Sequence, residues 1–137
     1  MTMITKFIET AKSRDLSVVL PEGKDERIIR AARQMKDEGI ASPILLGKFD
    51  EIEAAASEAG VSLDGIQLIN PAESDKLEAY AEAYVEGREM SINVAKRMVK
   101  RPLYYAGMMV RLGDVDTMVA GAVSATSLVI QAGVLAV

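Results

Sequence analysis

The chain has 137 residues, 50% of them hydrophobic, and a formal net charge of −4. That length suits one domain with a real core, and the acidic balance excludes a sequence-independent grip on nucleic acid, which needs a basic face. The absence of cysteine and histidine removes disulfides, thiol nucleophiles, the commonest general base and the commonest metal ligand.

Chemistry is therefore left to carboxylates, Lys, Arg, Tyr and hydroxyls. Aromatics make up only 4% and there is no Trp, so the expected core is aliphatic with Met as filler. The opening Met-Thr-Met-Ile-Thr-Lys-Phe-Ile lacks a basic region followed by a long apolar run. It is not a secretory signal, and a cytoplasmic location is expected.

Phe7, Ile8 and Ala11 recur at helical spacing, which predicts a short amphipathic helix over Thr5 to Ser13. Leu16 to Leu20 reads as a strand closed by Pro21. Pro21 to Arg27 is a loop in which Asp25 can cap the following helix. That helix runs to Glu38, with Ile28, Ile29, Ala32 and Met35 on one face and Gly39 as its stop. The loop is either a charged rim at the carboxyl end of a strand, where open α/β sheets hold ligands, or an ordinary solvated connection.

Ser42 to Leu46 is a second strand and Phe49 to Ala59 a helix with Ile52, Ala55, Ala56 and Ala59 inward. Gly65 to Asn70 holds a third strand, stopped by Asn70-Pro71. Ser74 can cap a helix from Asp75 to Glu86 with Leu77, Tyr80, Ala81 and Tyr84 inward. Ser91 caps a short helix through Val99. Pro102 suits the first turn of a helix over Leu103 to Leu112, whose Met108, Met109, Val110 and Leu112 read as core. Strands separated by helices predict an α/β fold with a mostly parallel four-stranded sheet and helices on both faces. With no linker or repeat, residues 1–137 read as one domain.

Gly113 to Gln131 is the stretch that most invites a ligand. Gly113 and Asp114 form a turn, Thr117 to Ala120 a short buried strand, and Gly121 a break. Ser124, Thr126 and Ser127 then open an apolar segment of helical length, Leu128 to Val137. Backbone N–H groups at such a helix start, with its dipole, favour an anion. The alternative is a strand-to-helix turn that binds nothing, and neither standard nucleotide loop motif occurs. No charged residue follows Asp116, which leaves 21 uncharged residues. A tail anchor is one reading, but polar residues interrupt the run and no basic or aromatic anchor follows it. The favoured expectation is a buried strand and helix in a chain cut short within a larger body.

Leu20-Pro21-Glu22-Gly23-Lys24-Asp25-Glu26-Arg27 resembles the Leu-Pro-Glu-x-x-Asp-x-Arg start of phosphate acetyltransferases. Ala41 to Gly47 is similar to their second strand. Met108-Met109-Val110-Arg111-Leu112-Gly113-Asp114-Val115-Asp116, continuing to Val119-Ala120-Gly121, resembles their Met-Met-x-x-Leu-Gly-x-Val-Asp-x-x-Val-x-Gly segment. Phosphate butyryltransferases share the broader pattern. The resemblance runs from Phe7 to Gln131, and family members are considerably longer.

The resemblance implies the N-terminal α/β domain of a two-domain protein, usually dimeric, with its active site between the domains. The implied reaction is acetyl-CoA + phosphate = acetyl phosphate + CoA, with coenzyme A as substrate, no cofactor and no metal. Direct attack of the thiol on acetyl phosphate is implied, and the catalytic aspartate belongs to the other half, so no catalytic residue is expected in this chain. Arg88 matches a substrate-side arginine of the family. A guanidinium suits phosphate because it offers a planar fork of donors. The phosphate side would draw on Arg88, Gly121, Ser124, Ala125, Thr126 and Gln131.

Where the family has His-Ser-x-x-Asp-x-x-Arg-Pro, Ser124, Leu128 and Gln131 stand for the histidine, aspartate and arginine. A neutral Gln forgoes a charge-assisted pair, a loss of about 1.5–3 kcal/mol. The fragment alone is expected to be inactive. The alternative is a non-catalytic acyl-CoA-binding regulatory or dimerisation module. Lys96, Arg97, Lys100 and Arg101 either receive the nucleotide phosphates of coenzyme A or form a solvated helix face. Neither nucleic acid nor membrane is an expected partner.

Overall fold

A computed structural model of the chain describes residues 16–120. Four parallel strands form one sheet in the order β3-β2-β1-β4: β1 Ser17–Leu20, β2 Ser42–Leu46, β3 Gln67–Ile69 and β4 Thr117–Met118. The helices are α1 Glu26–Asp37, α2 Phe49–Ala59, α3 Leu77–Val85, α4 Ile92–Val99 and α5 Pro102–Arg111, with a 3₁₀ turn over Pro71–Glu73. The α/β architecture is the one the alternating strand and helix patterns predict. The expected helix over Thr5 to Ser13 and everything from Gly121 onward lie outside the described residues. Among the described residues, no helix is long and apolar enough to cross a membrane.

Strand alternation divides the core into two layers. Val18, Leu20 and Leu45 point to one face, where Ile28, Ile29 and Ala32 of α1 and Ile52 and Ala56 of α2 cover them. Val19, Ile44 and Leu46 point to the other, against Tyr80, Tyr84, Val99, Tyr105 and Met108 of α3, α4 and α5. The expectation of an aliphatic core holds for the first layer only. All four tyrosines are buried in the second, with the Tyr80 and Tyr105 rings 4.9 Å apart and Tyr84 meeting Tyr104 edge to face at 6.2 Å. Tyrosine supplies aromatic bulk in a chain with only two Phe and no Trp.

Helix starts mostly follow the sequence signals. Asp25 accepts from the Arg27 and Ile28 amides, and Ser91 accepts from the Val94 amide. Gly60 ends α2 with φ +71°, a left-handed conformation that costs glycine little.

Three expectations need correction. The strand expected to be buried over Thr117 to Ala120 covers only Thr117–Met118 and is half-buried, with Val119 exposed beyond it. Ser74 does not cap a helix beginning at Asp75. The 3₁₀ turn, capped by Asn70, occupies the chain first, and α3 begins only at Leu77. Ser74 Oγ instead accepts the Lys76 amide at 3.1 Å and shares a 2.6 Å hydrogen bond with the Tyr105 hydroxyl. Leu112 is not core. It follows the last residue of α5 and is exposed, because the chain turns away at Gly113, where φ is +80°.

β4 is only two residues long, so its hold on the sheet comes largely from outside the ladder. The Asp116 carboxylate accepts from the Ser17 amide at 2.8 Å and from Ser17 Oγ at 3.1 Å. The Asp116 amide in turn donates to Ser17 Oγ at 3.1 Å. Beyond the strand, the Val119 amide donates to the Val19 carbonyl at 3.1 Å.

Candidate functional site

Because the strands are parallel, β1, β2 and β3 end on one edge of the sheet, and the segments leaving them meet there. Pro21 to Lys24, Gly47-Lys48 and Asn70-Pro71-Ala72 wall a cavity of about 480 Å³, closed on the far side by Lys100 to Tyr104. Open α/β sheets place ligands at this edge. The close fit of the first two walls depends on Gly23. Its amide donates to the Leu46 carbonyl at 3.2 Å, and a Cβ added there would stand 2.5 Å from that oxygen.

Pro21, Leu46, Pro71 and Tyr104 are buried and give the cavity an apolar floor. Lys24, Lys48, Lys100 and Arg101 stand at its exposed rim with Glu22 and Glu51. Lys24 and Glu51 form a loose ion pair at 3.8 Å.

Two helices begin at this rim. Lys48 is the N-cap of α2 and Arg101 the N-cap of α5, and neither helix has a side-chain capping hydrogen bond. Of the Pro21 to Arg27 loop, Pro21 to Lys24 line this cavity. Of the basic cluster, Lys100 and Arg101 line the cavity, whereas Lys96 and Arg97 do not. Lys48 was not singled out from the sequence. Parallel pairing of successive strands was the signal that could have found it, since it sends every strand-end residue to one edge.

Arg88 lies elsewhere. It follows α3, lines neither this cavity nor its neighbour, and is half-buried. Its Nη1 donates to the Tyr84 carbonyl at 2.5 Å, and the guanidinium carbon sits 4.4 Å from the centre of the Tyr84 ring. These contacts fix the side chain by capping the helix end and by a cation–π contact. The Tyr84 hydroxyl is buried with no hydrogen-bond partner among the described residues. Burial pushes its phenol up, against a smaller downward pull from the Arg88 charge.

The neighbouring cavity, of about 550 Å³, lies against β3 and holds Ser74, Lys76, Tyr80 and Tyr105. The Tyr80 hydroxyl donates to Asp114, which also faces Lys76 Nζ at 3.4 Å. Burial, and then the Asp114 carboxylate, hold the Tyr80 phenol far above its ordinary range. This linkage ties α3 to the turn that delivers β4.

Gly121, Ser124, Ala125, Thr126 and Gln131 lie outside the described residues. β4 runs parallel to β1, so its carboxyl end lies at the same edge of the sheet that bears the cavity.

The sequence model of a family described as phosphate acetyl/butaryl transferase matches residues 2–136. The chain is 41% identical over 130 residues to a phosphate acetyltransferase of Acetivibrio thermocellus, covering 93% of this chain and 39% of that protein. It is 39% identical over 124 residues to a phosphate acetyltransferase of Nitratidesulfovibrio vulgaris, covering 88% of this chain and 18% of that protein. Among solved structures, a phosphotransacetylase from Streptococcus pyogenes superposes with a TM-score of 0.90 at 29% identity, over 100% of this chain and 43% of the other. The EutD phosphotransacetylase from Staphylococcus aureus gives 0.89 at 26% identity, over 97% and 41%. The chain thus spans less than half the length of these relatives.

Proposed function

Since this chain belongs to the phosphate acetyl/butaryl transferase family, we propose that it is the N-terminal α/β portion of a phosphate acyltransferase. The reaction is reversible transfer of an acetyl group between coenzyme A and phosphate, with coenzyme A as substrate and no cofactor. Residues 1–137 form one unit of a longer polypeptide, cytoplasmic and dimeric, in which the remaining length completes the active site.

The observation that carries this reading is topological. A family match running through residue 136 coincides with a fourth strand aimed at the carboxyl edge of the sheet. The segment that the family resemblance assigns to phosphate follows this strand in the sequence, and α/β sheets bind ligands at that edge.

In this reading Arg88, with Gly121, Ser124, Ala125, Thr126 and Gln131, forms this portion's share of the phosphate side. Arg88 supplies a fixed positive charge, already oriented by Tyr84. Backbone amides after Gly121 supply donors without a side-chain charge. Their task is to align two anionic substrates and stabilise the leaving phosphate. Acyl transfer itself is completed by groups outside this chain.

The test is phosphate-dependent release of coenzyme A from acetyl-CoA, run on the full-length gene product and on the 137-residue chain. Turnover is expected from the former and none from the latter. Arg88→Ala in the full-length protein should lower kcat/KM by about tenfold or more. A second reading, a non-catalytic acyl-CoA-binding module, is favoured by Leu128 and Gln131 standing where the family has aspartate and arginine. It predicts heat from coenzyme A in calorimetry and no turnover at any length.

A further inference from the structure

The short turn that joins α5 to β4 is fastened on two sides. Asp116 is held by Ser17 at the start of β1. Asp114 is held by α3: its Oδ2 accepts the Tyr80 hydroxyl and lies 3.4 Å from Lys76 Nζ. Burial specifies the first of these contacts. Tyr80 is 2% exposed, so its hydroxyl must find an acceptor inside the protein or forfeit the hydrogen bond. Among the described residues that acceptor is Asp114, and a carboxylate acceptor makes such a bond roughly twice as strong as a neutral one.

α3 depends on anchors of this kind. It has nine residues and no side-chain cap at Lys76, and helices this short do not stand by themselves. At its far end it carries Arg88. Tyr80 and Tyr84 are four residues apart, on one face of the helix and about 6 Å apart along its axis. Tyr80 holds Asp114, whereas Tyr84 gives Arg88 its carbonyl and the face of its ring. The path from Asp114 to the Arg88 guanidinium is therefore one turn of helix between two buried side chains.

In the other direction, Asp114 stands three residues before Thr117, the first residue of β4. β4 pairs with β1 at only two positions, Val18 with Thr117 and Val19 with Met118. So short a ladder leaves its register to the turn that precedes it. One carboxylate thus stands between the two parts of the proposed phosphate side. It reaches Arg88 through α3, and through β4 the segment that follows that strand in the sequence.

We infer that Asp114 is a positioning residue of the phosphate side, holding Arg88 and β4 at a fixed spacing through Tyr80. Its importance for turnover rests on the acyltransferase reading, whereas the linkage itself does not.

Two readouts on the full-length gene product separate the linkage from its use. The first is hydrogen exchange at two amides. Arg88 N–H donates to the Val85 carbonyl at 2.8 Å, and Val119 N–H to the Val19 carbonyl at 3.1 Å. In Asp114→Ala both should exchange about fivefold or more faster. The Val61 amide, bonded to the Ala56 carbonyl at 2.9 Å beyond α2 on the opposite face of the sheet, should stay within about twofold. Plain loss of stability would instead speed all three alike.

The second readout is steady-state kinetics with phosphate as the varied substrate. Asp114→Ala and Tyr80→Phe should each raise KM for phosphate by about fivefold or more, with kcat changed by about twofold or less. Both remove one hydrogen bond, so the double variant should go no further than either alone. Asp114→Asn keeps an oxygen that accepts from Tyr80, and should restore KM to within about twofold of the unsubstituted protein. Gly60→Ala, which strains the end of α2 in the opposite layer, should leave KM unchanged.

Exchange that quickens at only one of the two amides, or equally at Val61, overturns the linkage whatever the activity. Coupled exchange with an unchanged KM, or additive effects of the two substitutions, overturns the positioning role. If the unsubstituted protein shows no phosphate-dependent turnover, the acyltransferase reading fails and the positioning role goes with it, while the exchange result still decides the linkage.

Discussion

Gly23→Ala isolates the contact that joins the β1–α1 loop to the end of β2. Its new Cβ would lie 2.5 Å from the Leu46 carbonyl oxygen and 3.2 Å from both Leu45 Cβ and Ile52 Cδ1. An ordinary carbon–oxygen contact is about 3.3–3.6 Å, so the loop must retreat by about 1 Å. The oxygen belongs to a paired backbone in β2 and cannot rotate away as a side-chain tip could. Relief of this overlap costs about 1–3 kcal/mol. The retreat also stretches the 3.2 Å hydrogen bond from the Gly23 amide to that same oxygen, worth about 1 kcal/mol. The expected total is about 2–4 kcal/mol of stability, read as a fall of about 1–2 M in the urea midpoint.

Gly60→Ala is the companion measurement. A Cβ at Gly60 meets nothing within 4 Å, but φ is +71°, so it carries backbone strain alone, about 1 kcal/mol. Gly23→Ala must be the more damaging of the two. If it falls within about 0.5 kcal/mol of the unsubstituted chain, or below Gly60→Ala, then close backbone approach is not what shapes the cavity wall.

Asp116→Ala removes both carboxylate contacts to Ser17 from a two-residue strand, and should cost about 1–2 kcal/mol. Hydrogen exchange should show faster opening at the Val119 amide first, and unchanged protection there would refute the clasp. The hydrogen bond from the Arg27 side chain holds the Asp25 carboxyl below its usual range, assisted by the Arg27 and Ile28 amides. Because its folded value is depressed, the associated stability is present above the unfolded value, near about pH 4. It is lost as pH falls through the folded value. Asp25→Asn should flatten that part of the acid unfolding curve, and an unaltered curve would refute it. At the alkaline end, burial raises the phenols of Tyr80, Tyr84 and Tyr105. A raised phenol stabilises fully below its unfolded value, about pH 10, and that stability declines as pH climbs toward the folded value. Ultraviolet titration should therefore show these phenols ionising together with unfolding, and smooth ionisation of a folded chain would refute their burial.

Much of the fold was legible in the residues themselves. Ser-Pro-Ile-Leu-Leu before Gly47, and the apolar spacing from Phe49 to Ala59 before Gly60, specify a strand and a helix locally, and both appear where the pattern puts them. Asp25 and Ser91 mark helix starts because capping is a local hydrogen bond. The motif segments around Pro21 and Gly113 carried the family likeness. Local signals were weakest where distant residues compete. Ser74 gives up the start of α3 to bond with Tyr105, which lies 31 positions away, and Leu112 is left in solvent by a turn beyond its own helix.

The order of strands and the site could come only from tertiary structure. Nothing local to Thr117 says that it pairs with Val18, nor that Asp116 closes on Ser17 across 99 positions. Lys48 and Arg101 are ordinary surface cations in the linear chain. Parallel pairing and the packing of α5 bring them to the rim of one cavity. Sequence patterns report interactions a few residues long, whereas a cavity is made by segments whose proximity is settled by which faces of the sheet can be covered at once.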